Sequence, residues 1–154
     1  IAAATSQPIL SIVEETAKAA VERAAERADE RAGDGSSDRS PRIGLLATDG
    51  TRAAKVYERV LDSLGAQTIY PDDADQQLTM SVIYDGVKAG GPIDLAGLEA
   101  VISRLAQQSD VVVLGCTELS VIHAQQGWSN RPELVDSIES LARAAILRAG
   151  KQPR

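Results

Sequence analysis

Apolar residues along positions 42–147 alternate between short continuous runs and stripes at helical spacing. Val111-Val112-Val113-Leu114 is one such run. Its three β-branched residues predict a strand buried on both faces of a parallel sheet. Ile43-Gly44-Leu45-Leu46-Ala47 and Ala66 to Tyr70 read as two further strands, the second ending at Pro71. Arg52 to Leu64, Gln76 to Lys88, Leu95 to Gln107, Thr117 to Gln125 and Leu134 to Leu147 carry helical patterns, with Gly65 closing the first as a C-cap. The resulting order, β-α-β-α-α-β-α, predicts an α/β fold with parallel strands and right-handed crossovers, and no internal repeat is visible.

Ahead of this unit, Pro8 to Val13 reads as a short buried strand with Pro at its first position. Residues 14–32 read as a strong helix with acids in the first turn and Glu/Arg pairs on a solvated face. Gly33 to Pro41 has linker composition and marks the best boundary in the chain.

Composition narrows the functional classes. The formal net charge is -6, and the chain has no Phe, one Trp and three Tyr. An acidic surface with little aromatic material argues against nucleic acid as a partner. No apolar run approaches the roughly 18 residues of a membrane span, and no signal peptide is recognisable. A single cysteine makes no internal disulfide and suits a reducing cytoplasm. One Cys and one His do not make a metal cluster.

The cysteine, Cys116, follows Gly115 at the end of the third strand and precedes a helix. Open α/β sheets bind ligands at that edge, and free helix N–H groups favour an anion and lower a thiol's pKa. A small buried hydrophobe is an equally good reading of one free cysteine on spacing alone. Thr48-Asp49-Gly50-Thr51 faces the same edge after the first strand, with hydroxyls and N–H groups suited to a carboxylate, or simply as helix caps. Lys88, followed by Ala89 and two glycines, resembles ordinary C-terminal capping. His123 lies two helical turns beyond Cys116, about 10 Å away, too far for a nucleophile–base pair. It reads as a surface or packing residue.

Ile43 to Thr51 with Tyr57, Pro71-Asp72 with Gln76, Val87-Lys88-Ala89-Gly90, and Leu114-Gly115-Cys116-Thr117-Glu118-Leu119 together resemble, in order and spacing, the cofactor-independent aspartate/glutamate racemases. The Gly-Cys-Thr-Glu-Leu form is closer to the aspartate racemase branch than to cell-wall glutamate racemases or hydantoin racemases. The resemblance runs from about Pro8 to Leu147 and implies a three-layer, Rossmann-like α/β domain of that type. It implies two such domains facing each other across a cleft, each supplying one acid/base, and no pyridoxal phosphate or metal. Cys116 would be the acid/base of the second domain. Thr48, Thr51 and Thr117 would hold the substrate, Lys88 would bind a substrate carboxylate, and Glu118 would bind substrate or orient its neighbours.

The family's first catalytic motif, commonly Cys-Asn-Thr-Ala-His, does not occur in this chain. The chain lacks an initiator Met, and the expectation is a carboxyl-terminal part of a racemase. Residues 1–32 would end a first domain, 33–41 would link, 42–133 would form the second domain, and 134–154 would be a helix returning to the first. The expected function is amino-acid racemisation on aspartate or glutamate, in the cytoplasm, with one half of a two-base site present and a homodimer possible through apolar surface at Ile9 to Val13 and the last helix. The competing reading is a non-catalytic dicarboxylate-binding or structural remnant with an exposed thiol.

Overall fold

The computed structural model describes residues 9–32 and 39–152; side chains of residues 29–32 lie outside the description. Four strands, β1 (Arg42–Leu46), β2 (Gln67–Ile69), β3 (Val111–Leu114) and β4 (Leu134–Asp136), form one sheet in the order β2-β1-β3-β4. Every pairing is parallel, with Gly44 beside Val112 and Leu114 beside Asp136.

Strand pleating sends alternate side chains to opposite faces, and two cores result. Ile43, Leu45, Val111, Val113 and Val135 meet the buried Ala17, Ala20 and Ala24 of α1 (Ile12–Ala32) and Tyr57 and Leu61 of α3 (Val56–Ser63). Leu46, Val112, Leu114 and Leu134 meet Leu98, Val101, Ile102 and Leu105 of α5 (Leu95–Gln108), with Leu119 and Ile122 of α6 (Thr117–Gln126). Gly44 faces this second layer. A Cβ there would lie 2.7 Å from Leu105 Cγ and 2.8 Å from Ser109 Oγ, so the close approach of α5 requires glycine.

Helix starts follow the short polar residues of the sequence. Thr48 caps α2 (Asp49–Ala53), Asp72 caps α4 (Asp73–Ser81), Asp94 caps α5 and Asp136 caps α7 (Ser137–Arg148), each accepting from an N–H three residues on.

Four expectations fail. Ile9 to Ser11 form no strand, and Ile12 and Val13 open α1 instead; Pro8 lies outside the described residues. The helix expected over 52–64 is two helices, broken at Lys55, whose backbone is left-handed (φ 52°, ψ 35°). The stretch 76–88 divides into α4 and a π-helical segment, Val82–Lys88, whose wider turn is common at functional sites. Leu134 to Asp136 are a fourth strand, and the last helix begins only at Ser137. Three strand residues are too few to display alternation, and their apolar character fits helix period equally well.

The amino edge of the sheet is stapled by the buried Asp110. Its side chain accepts from the Arg42 N–H (2.8 Å) and from the Arg39 guanidinium, and its carbonyl accepts from Arg27 Nε of α1 (2.9 Å). Residues 33–38 of the expected linker lie outside the described residues. The opposite, carboxyl edge is where open α/β sheets generally bind ligands.

Candidate functional site

Parallel strands bring the turns after β1 and β3 to one edge, and a backbone bond joins them: the Gly115 N–H donates to Leu46 O (2.8 Å). Gly115 is under close constraint. A Cβ there would sit 2.9 Å from Leu45 Cδ1 and 3.2 Å from Tyr57 Cε2, so the Tyr57 ring packs directly behind the residue before the thiol.

Cys116 occupies the N-cap position of α6 in extended conformation (φ -127°, ψ 134°), and its side chain caps nothing. The half-buried thiol instead donates to Glu118 Oε2 (2.7 Å). The Thr117 hydroxyl donates to the same oxygen (3.2 Å). Lys88, ending the π-helical segment, brings Nζ to 3.5 Å from Glu118 Oε1 and 4.3 Å from the centre of the Tyr84 ring. Cys116, Thr117, Glu118 and Lys88 thus form one connected group.

Burial, then the adjacent Glu118 carboxylate, push the Cys116 thiol up to about 11; the helix backbone and Lys88 pull the other way and lose. The sequence argument from helix N–H groups therefore gives the wrong direction here, because it omits the burial of the thiol and, after it, the carboxylate two residues on. Glu118 is held below the ordinary range chiefly by the thiol's hydrogen bond, with help from its backbone N–H, Lys88 and Thr117 and against the cost of burial.

Thr48 and Thr51 lie in the neighbouring turn and pair with each other, Oγ1 to Oγ1 at 3.0 Å, while Thr48 Oγ1 also accepts the Thr51 N–H (3.3 Å). This is a capping arrangement at the carboxyl edge of the sheet. Gln76 fixes that turn. It is 5 % exposed and its Nε2 donates to Ala47 O (3.0 Å) and Asp49 Oδ1 (2.7 Å), while Oε1 has no partner.

A shallow pocket of about 370 Å³ lies beside the turn, lined by Asp49, Gln76, Met80, Ser81, Tyr84 and Asp85 among others. Tyr84 thereby bridges this pocket and the Lys88 ammonium. It was not singled out in the sequence, although its place four residues before Lys88 was a usable signal. A larger crevice of about 550 Å³ between α1 and α7 is lined by charges of both signs and touches none of the thiol cluster. His123 is buried and borders that crevice, so the packing half of its expectation holds. Among the described residues, no group of three His, Cys, Asp or Glu side chains is placed to hold a metal, and no helix is long and apolar enough to cross a membrane.

A family model described as Asp/Glu/Hydantoin racemase matches residues 1–145. The chain belongs to the Asp/Glu/Hydantoin racemase family. It is 36% identical over 110 residues to an uncharacterized protein in the pnlA 3' region of Pectobacterium carotovorum subsp. carotovorum, covering 68% of this chain and 71% of that protein. The aspartate racemase of Picrophilus torridus superposes with a TM-score of 0.62 at 25% identity, over 97% of this chain and 56% of its own. A candidate Asp/Glu racemase from Yersinia pestis superposes with a TM-score of 0.68 at 25% identity, over 97% and 59%. The chain thus spans under three-fifths of the length of these solved relatives. The α/β fold, the parallel sheet and the family expected from the sequence all stand.

Proposed function

We propose that this racemase-family chain carries one half of a two-base site that acts at the α-carbon of aspartate or glutamate without pyridoxal phosphate or metal. The observation that carries the reading is the connected group of Cys116, Thr117, Glu118 and Lys88 at the carboxyl edge of a parallel sheet. An α-proton is very weakly acidic, so its removal requires the carboxylate beside it to be held by cations and N–H groups. Lys88 supplies the cation, and Thr117 beside it and Thr48 and Thr51 in the turn after β1 supply hydroxyls at the same edge of the sheet. Cys116 exchanges a proton with one face of the α-carbon. A second acid/base must address the opposite face, and on this reading the facing domain supplies it. The same reading takes residues 1–32 as the end of a first domain whose α1 packs onto the sheet of 42–133 as one unit, and returns α7 of 134–154 toward α1 while β4 stays in the sheet. The cytoplasm is the proposed location, in keeping with one free thiol. A homodimer would cover the exposed Ile138, Ile146 and Leu147 of α7.

The raised thiol pKa supports a second reading, a dicarboxylate-binding chain that does not turn over. Incubation with L- and D-aspartate and L- and D-glutamate in heavy water, with Cys116→Ala beside the unaltered chain, separates the two. Deuterium is expected at the α-carbon only with the thiol present, slowly near neutral pH and faster as pH rises, because only the thiolate fraction of Cys116 can remove the α-proton in this chain. Shifts of the substrate signals on binding without any deuterium uptake would leave the binding reading alone. Uptake that survives in the alanine variant would remove Cys116 from the chemistry.

A further inference from the structure

Glu118 is the hub of the thiol cluster. One carboxylate oxygen accepts from the Cys116 thiol at 2.7 Å and from the Thr117 hydroxyl at 3.2 Å, and the other faces the Lys88 ammonium at 3.5 Å. Its side chain is only 19% exposed, against 42% for Lys88. A carboxylate with that many donors stays ionised. An ionised carboxylate at hydrogen-bond distance favours S–H and repels S⁻, because the first gives it a donor and the second a like charge.

We propose that Glu118 is a positioning residue that keeps the proton on Cys116, so that this half of the site rests as a proton donor and only its small thiolate fraction can act as a base. The reaction named here rests on the racemase reading above; the location of the proton does not. The groups facing the thiol agree. From α6 they are Thr117 and Glu118, and from the π-helical segment Lys88, the one cation among them, which divides its charge between Glu118 and the Tyr84 ring. From α3 comes Tyr57, a buried phenol kept neutral by that burial and influenced by Asp136 at the end of β4.

The consequence is a direction. Cys116 gives its proton to the carbanion: the S–H bond breaks, the carbon's electron pair forms the C–H bond, and a thiolate is left against the Glu118 carboxylate. Two negative charges in contact are unfavourable, so the thiolate takes a proton back from water and the half-site resets. A substrate carboxylate arriving at Lys88 claims the ammonium that Glu118 holds, which leaves Glu118's charge less neutralised and the thiol proton more firmly kept.

Alkylation of Cys116 by iodoacetamide, followed by intact mass from neutral to strongly alkaline pH, tests the assignment, because only the thiolate reacts. The unaltered chain is expected to react slowly at about pH 8, and Glu118→Gln roughly tenfold or more faster, the equivalent of one pKa unit. Glu118→Asp, which keeps the charge, should stay near the slow rate. Lys88→Met, which leaves the carboxylate unneutralised, should be slower still. An unchanged profile in a folded Glu118→Gln overturns the proposal, and so does faster alkylation in Lys88→Met, which decides the matter if the glutamine variant does not fold. Deuterium exchange with an unmoved alkylation profile would keep the racemase reading and sink this one. A moved profile without exchange would do the reverse.

Discussion

Cys116 sets a pH limit on the fold as well as on its own reactivity. Its thiol is raised to about 11 in the folded chain, first by burial and then by Glu118, whereas an unfolded chain ionises it near the ordinary cysteine range. Between those values the folded state binds more protons than the unfolded one, so stability falls as pH rises. The contribution is complete below the unfolded pKa and is lost as pH passes through about 11. Denaturant midpoints measured from neutral pH upward should therefore fall more steeply for the unaltered chain than for Cys116→Ala, which has nothing to ionise there. Parallel curves would show that the thiol titrates alike in both states. Glu118 acts at the opposite end of the scale. Its depressed pKa gives stability that is present above the ordinary glutamate value and lost as pH falls through the folded one.

At the scale of elements, Lys55 is the place where the chain departs from its own pattern. Residues 52–64 keep a helical stripe, yet Lys55 turns left-handed, and α2 and α3 form on either side. A left-handed residue with a Cβ costs roughly 1–2 kcal/mol, and glycine removes most of that while adding entropy to the unfolded chain. Lys55 is exposed and its side chain makes no capping bond, so little else is lost. Lys55→Gly should raise unfolding stability by up to about 1 kcal/mol, read from denaturant midpoints; a lower midpoint would show that the lysine side chain contributes at this corner. The start of α5 was legible at Leu95, just after its cap Asp94, whereas α2, α4 and α7 begin at Asp49, Asp73 and Ser137, away from the expected Arg52, Gln76 and Leu134. The π-helical turn was not legible, since it inserts one residue into a stripe whose composition is unchanged. β4 was missed because its three residues are defined by pairing with β3, a contact between positions about twenty residues apart. The site divides in the same way. Thr48, Thr51, Lys88, Cys116, Thr117 and Glu118 stood out in the sequence as candidates, of which Lys88, Cys116, Thr117 and Glu118 meet in one group, whereas Tyr84 and the hydrogen bond from the thiol to Glu118 depend on where Lys88 and Glu118 meet in space.

For the whole molecule, the decisive relation is between α1 and the sheet. The helix presents Ala17, Ala20 and Ala24 to Ile43, Leu45, Val111, Val113 and Val135, and small residues let it lie close. Burying each of those five aliphatic side chains is worth about 1.5–3 kcal/mol when complete. Losing even part of that approaches the about 5–15 kcal/mol by which a domain is stable. Arg27 adds a second tie at the amino edge, through the Asp110 carbonyl. A shortened chain starting at Pro41 should therefore unfold without a sharp transition and bind a hydrophobic dye, while the full chain does neither. Calorimetry of the two chains checks this directly. A cooperative transition in the shortened chain would mean that residues 42–133 fold as a separate domain and that α1 belongs energetically to what precedes it. Its absence would mean that the thiol-bearing edge depends on α1, because Tyr57 and Gly115 are packed from the same face that the helix covers.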